Sequence, residues 1–341
     1  MRRLALLIAL ALPVLLPIPA KAPLSDKFGS GAQQPAPEPR PRPPAGPGRA
    51  PPPAPPDPGQ PGQPAQPAAE AAEPGWALDP RSGCRVWVPE VKEDTTVSWS
   101  GRRCNRSPAS GEGELLVKSG EQILAMYTGP FVDGRLNGPG LRIAANGDRL
   151  EASFADGRAN GQGTLDFRDG RRYEGTFQAG LFQGRGTLVE PSGARYEGDW
   201  AEGRRSGNGQ QIYADGARYT GGWRADRPNG AGTMLYANGN TYEGGWSNGR
   251  REGRGTFRWF GPGRSGIYTG EWRNDQRQGL GRETFDAENG LYEGAFSHDR
   301  PQGRGVYIIA GRDRYEGEVS NGCLRTTWRT VGVGRPDAEC K

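Results

Sequence analysis

His298 is the one histidine among 341 residues, and it stands in Ser297-His298-Asp299. A serine or cysteine nucleophile needs a positioned base, so nucleophilic catalysis would have to use this residue. Neighbouring copies of the surrounding sequence hold Asn248 and Asn274 in the same place, so His298 reads as a solvated turn residue. Carboxylate pairs suited to acid–base work recur with every copy, and so report architecture before catalysis. The four cysteines contain no C-x-x-C, which makes metal binding by thiolates a weak reading. Glycine-rich G-x-G fragments cradle phosphates where a helix receives the anion, and these glycines sit in hairpins. No enzyme, cofactor or metal is expected. What remains is recognition chemistry, from rows of tryptophan, tyrosine and arginine.

The elements that must position those rows are written most cleanly at Tyr196–Arg218, Y-E-G-D-W-A-E-G-R-R-S-G-N-G-Q-Q-I-Y-A-D-G-A-R. The opening slot recurs as Tyr127, Leu150, Tyr173, Tyr196, Tyr219, Tyr242, Tyr268, Tyr292 and Tyr315. Its spacings are 23, 23, 23, 23, 23, 26, 24 and 23 residues, the mark of a repeat array. Strand alternation places Tyr196, Gly198 and Trp200 on one face and Glu197 on the other. The glycine between two aromatics leaves room for a ring to lie against the strand. The eighth slot holds only Gly or Asp, from Gly134 to Gly322, which predicts a turn with positive φ. Asn146-Gly147, Asp169-Gly170, Asp215-Gly216, Asn238-Gly239 and Asn289-Gly290 supply a second turn, and Asn-Gly and Asp-Gly are strong hairpin signals. Each unit therefore reads as a two-stranded antiparallel hairpin joined to the next.

These slots resemble the MORN repeat (membrane occupation and recognition nexus), with its pattern Y-E-G-x-W-x-N-G-x-x-x-G-x-G. The likeness covers about residues 97–322 and is specific over Tyr127–Arg314. It implies an all-β fold, an elongated curved ribbon of antiparallel hairpins in a single sheet, in an exported bacterial-type MORN repeat protein. It also allows membrane or phospholipid association and self-association. Leu150-Glu151-Ala152 departs from the pattern.

The chain divides around this array. Residues 1–20, with Arg2 and Arg3 before an apolar run ending near Ala20, read as a signal peptide, with a retained membrane anchor as the alternative. Residues 21–75 are a Pro/Ala/Gly-rich tether whose composition cannot bury a core. Residues 76–126 form an N-terminal cap with a degenerate repeat, Trp99-Ser100-Gly101 standing in the Y-E-G slot. Residues 127–314 hold eight repeats and 315–341 a half-repeat and C-terminal cap. Cys84 and Cys104 lie at one end of the array, Cys323 and Cys340 at the other. Three connectivities are open, and proximity favours Cys84–Cys104 and Cys323–Cys340, disulfides that suit an exported protein.

Charge points away from nucleic acid. The whole chain carries +5, and Arg2 and Arg3 of the leader with Lys21 just after it account for three of those charges. Arginine and glutamate are interspersed elsewhere, and the ladder Arg149, Arg172, Arg195, Arg218 and Arg314 reads as cross-strand pairing with the outward glutamates. The expected role is a periplasmic or extracellular scaffold for a protein partner or for self-association. The alternative is a binding module for envelope polysaccharide or anionic phospholipid headgroups. Insertions in repeat arrays often mark a binding side, and the 26-residue interval carries Trp259, Phe260 and Arg264. Trp259 also suits the second-strand slot of Tyr213 and Tyr236. The loop, with Trp223, Trp246 and Trp272, is the candidate contact site.

Overall fold

The computed structural model describes residues 75–89, 91, 94–261, 265–285, 290–309, 313–327, 329–334 and 337–340. The leader and nearly all of the tether lie outside them, as does Arg264. The all-β expectation holds: hairpin follows hairpin in one long antiparallel sheet whose strands keep chain order, and a separate two-stranded sheet, Gly75–Leu78 with Arg85–Val88, precedes it in the chain. At one end of the array Thr95–Trp99 pairs with Gly111–Ser119, and at the other Thr330–Gly332 pairs with Cys323–Arg325.

The unit at Tyr196 shows how the slots work. Strand Arg195–Ala201 turns at Glu202-Gly203 into strand Arg204–Ile212, and Ala201 faces Arg204 directly. Both turn residues have positive φ, 49° and 76°. This is the two-residue turn whose twist matches the strands. The tight hairpin therefore belongs to the seventh and eighth slots, and Asp-Gly has another task. Asp215-Gly216 links one hairpin to the next through a wider loop, in which Tyr213 accepts from Gly216 N at 2.9 Å and donates to the Ala217 carbonyl at 2.9 Å. Asp-Gly signals a reversal in either geometry, and the residues around it decide which.

The inward face is a closed aromatic zipper. Tyr196 meets Trp200 and Trp223 edge-on with centroids 5.2 and 5.3 Å apart, and Tyr219 meets Trp223 and Trp246 at 5.2 and 5.3 Å. Each tyrosine hydroxyl donates to the carbonyl three residues on, Tyr196 to Asp199 at 3.0 Å and Tyr219 to Gly222 at 2.9 Å. The second glycine of G-x-G exists for the ring: a Cβ on Gly209 would stand 2.4 Å from the Tyr196 hydroxyl oxygen. Burial pushes the phenols of Tyr173, Tyr196, Tyr219, Tyr242 and Tyr268 well above their ordinary value, and that of Tyr292 up to about 12. A raised acid contributes stability below its unfolded value, here 10.0, and loses it as the pH climbs through the folded value. In an alkaline titration these phenols are expected to ionise together with loss of the β-sheet signal. Phenolate absorbance that develops near the ordinary pH with the fold intact would remove the idea.

The ends are stapled. Cys84 is disulfide-bonded to Cys104, and Cys323 to Cys340. Trp99 takes the tyrosine role: its ring would strike a Cβ on Gly101 or Gly113, and its indole donates to the Arg102 carbonyl three residues on at 3.3 Å. At the end of strand Thr95–Trp99, the Trp99 amide donates to the Asp79 carboxylate at 3.2 Å. Burial alone would raise this carboxyl, but Ser82 Oγ and the amides of Arg81, Trp99 and Ser82 outweigh burial and hold it below the usual 3.8. A lowered carboxyl contributes stability above its unfolded value and loses it as the pH falls through the folded one. Asp79→Asn is therefore expected to flatten the acid limb of stability below about pH 3.8. Urea unfolding across that range checks it, and an unaltered acid limb rules the contribution out.

Candidate functional site

The three tryptophans expected on a contact face are spent on the core. Trp223, Trp246 and Trp272 are 4%, 8% and 2% exposed. Their indoles donate to the carbonyls of Gly209, Gly232 and Gly255, each at 3.2 Å, which ties one hairpin to the one before it. Trp259 occupies the second-strand slot, opposite Gly266 and stacked on Phe257 at 6.0 Å. Phe260 stays 59% exposed, with its amide donating to Asn240 Oδ1 at 3.0 Å. Of the predicted site residues, Phe260 is thus the one that faces solvent among the described residues.

The outward face is charged, and its pairing only partly follows expectation. Arg172 reaches across to Asp166 at 2.5 Å. Arg149, Arg195 and Arg314 instead pair along their own strand, with Glu151, Glu197 and Glu316. Residues two apart on a strand share a face, so the long arginine side chain reaches the nearer carboxylate without crossing. Arg218 has Thr220 in that place.

Comparison with known families agrees with this geometry. The profile of the MORN repeat matches residues 127–149, 151–171, 173–195, 196–218, 219–241, 242–260, 268–287 and 292–314. The chain belongs to the MORN repeat family. No curated protein matches it. Solved structures similar to it include the TCP domain of SAS-4 (dCPAP) of Drosophila melanogaster, in complex with a proline-rich motif of Ana2 (dSTIL). That match has 11% identity and a TM-score of 0.29, and covers 46% of this chain and 84% of the other. MORN repeats are in general protein- or membrane-lipid-binding modules.

The MORN units also hold a feature that reading them by slot missed. Arg205, Arg251 and Arg277 point into the aromatic layer, 4.6 Å from the Trp223 ring, 4.1 Å from Trp272 and 5.1 Å from Phe296 respectively. Each is clasped by the turn aspartate of the next unit, Arg205 by Asp226 at 3.3 Å, Arg251 by Asp275 at 3.2 Å and Arg277 by Asp299 at 3.6 Å. The backbone closes the same clasp: the Asp226 amide donates to the Arg205 carbonyl at 3.1 Å, and the Arg205 amide to Asp226 Oδ1 at 2.9 Å. Where the second-strand residue is Leu136, Ala159, Phe182, Pro228 or Pro301, the next turn holds Gly157, Gly180, Gly203, Gly249 or Gly322. The signal was present in the sequence as this pairing of Arg with Asp and of other residues with Gly, one unit apart.

Proposed function

We propose that this protein is a non-enzymatic, exported MORN-repeat scaffold that engages a protein partner, or a second copy of itself, at the cell envelope. The observation that supports it best is that the aromatic rows close on each other. Glycan stacking needs exposed ring faces. With Trp223, Trp246 and Trp272 buried, the array offers a partner its charged outward face and the exposed Phe260. The two disulfides fit an oxidising compartment.

The test is cross-linking of the full chain in cells, followed by identification of the adduct and sedimentation of the purified protein. A defined partner or a self-adduct is expected, weakened by Phe260→Ala at unchanged thermal midpoint. Absence of any protein adduct or oligomer, together with retention on envelope polysaccharide or anionic vesicles, overturns the scaffold reading in favour of polymer binding.

A further inference from the structure

One transverse row of the outward face differs from the rest of the array. Ile212, Arg218, Leu235, Thr241, Arg258 and Ile267 are successive cross-strand neighbours, so their side chains share one face across five strand spacings, about 24 Å. Elsewhere in this row arginines are neutralised, Arg149 by Glu151, Arg172 by Asp166, Arg195 by Glu197 and Arg314 by Glu316. Arg218 has lost that partner because Thr220 replaces the glutamate two residues on. Arg258 lies on the second strand of its hairpin, and no carboxylate pairs with it among the described residues. Both arginines are exposed. Between and beside them stand Leu235 and Ile267, 43% and 39% exposed, and the strand that carries Arg258 runs on into Phe260, 59% exposed.

We propose that this row is a docking surface for an acidic, aliphatic-bearing segment of a partner protein, which rests on the scaffold reading above and names its contact surface. Two guanidiniums without counter-ions, spaced by branched aliphatics, match carboxylates separated by apolar side chains. Each charge-assisted bond is strengthened as the aliphatic contacts exclude water. The surroundings select the occupant. The row two residues along the strands carries exposed Glu174, Glu197 and Glu243. An anionic membrane lying on this face would meet those carboxylates as well as the arginines. A single peptide following the arginine row would not.

The experiment measures fluorescence anisotropy of the full chain with a short labelled peptide of mixed glutamate and leucine. The same peptide with lysine for glutamate, and vesicles of phosphatidylglycerol in phosphatidylcholine, serve as comparisons. The expected result is binding of the glutamate peptide alone, weakened about tenfold or more by Arg218→Glu with Arg258→Glu, and about tenfold by Leu235→Thr. Arg172→Glu, at an arginine that already holds a carboxylate, is expected to leave it unchanged. All four positions are exposed, and circular dichroism confirms that the variants keep the fold. Equal binding of the lysine peptide, or glutamate-peptide binding that survives the double variant, overturns the proposal. So does vesicle binding that needs Arg218 and Arg258 while the peptide does not bind. A cross-linked partner that persists in the double variant overturns this surface but leaves the scaffold reading standing.

Discussion

Tyr219→Ala is expected to destabilise the array by about 3–5 kcal/mol, the range for deleting a large buried aromatic. The side chain is fully buried, its ring bridges Trp223 and Trp246, and its hydroxyl donates to the Gly222 carbonyl at 2.9 Å. The loss falls on two units at once, because Trp246 belongs to the next hairpin. Gly232→Ala approaches the same contact from the other side: its Cβ would stand 2.3 Å from the Tyr219 hydroxyl oxygen, forcing the ring off its bed at about 1–3 kcal/mol. The chain already contains a version without the ring, Leu150 with Ala152, where a methyl group takes the central glycine's place. Tyr219→Leu with Gly221→Ala is therefore expected to cost less than the sum of the two single changes, by about 0.5–3 kcal/mol of coupling. Urea unfolding of the four proteins measures it, and strict additivity would show that ring and glycine do not share one space.

The second large effect concerns the buried clasp at Arg277. The guanidinium is 3% exposed and bonds Glu283 Oε1 through Nη1, with Asp299 3.6 Å from its Nε. Removing one partner of a buried pair strands the other, so Glu283→Ala is expected to cost about 3–5 kcal/mol. The array itself offers an apolar equivalent in Phe182, Leu188 and Gly203, which occupy the same three places four units earlier along the chain. Arg277→Phe, Glu283→Leu and Asp299→Gly together are expected to be neutral, or stabilising by about 1–4 kcal/mol. Burial pushes the Glu283 carboxyl above its ordinary 4.5, against the pull of Arg277. A raised acid is best accommodated in the fold below its unfolded value and loses that contribution as the pH rises through the folded one. The triple variant's advantage over the natural chain is therefore expected to shrink as the pH falls from neutral towards 4.5. An advantage that stays constant with pH would mean that Glu283 is not the titrating group.

Much of this protein was legible before any coordinates. The 23-residue period, the alternation that sets Tyr196, Gly198 and Trp200 on one face, and the Gly-or-Asp turn slot determined the hairpin array, because these are local demands of a pleated strand and a positive φ. Proximity in the chain favoured the disulfide partners that the structure shows, 20 and 17 residues apart, over two other connectivities. Alternation states which side chains share a face, but not what covers that face. Trp223 is buried because Tyr196, from the hairpin before, and its own Tyr219 close over it, and only the packed hairpins decide that. The same holds for polar groups. Arg205 looks like a surface charge in one dimension, and becomes part of the core because register brings Asp226 of the next turn to its guanidinium. In the sequence Arg218 looks like one more member of a paired ladder, and Arg258, on a second strand, belongs to no ladder. They are 40 residues apart in the chain, and the sheet stacks them three strands apart on one face with Leu235 between them. The tertiary structure alone decides which charges find a partner, because pairing is settled by distances across strands that no single repeat contains.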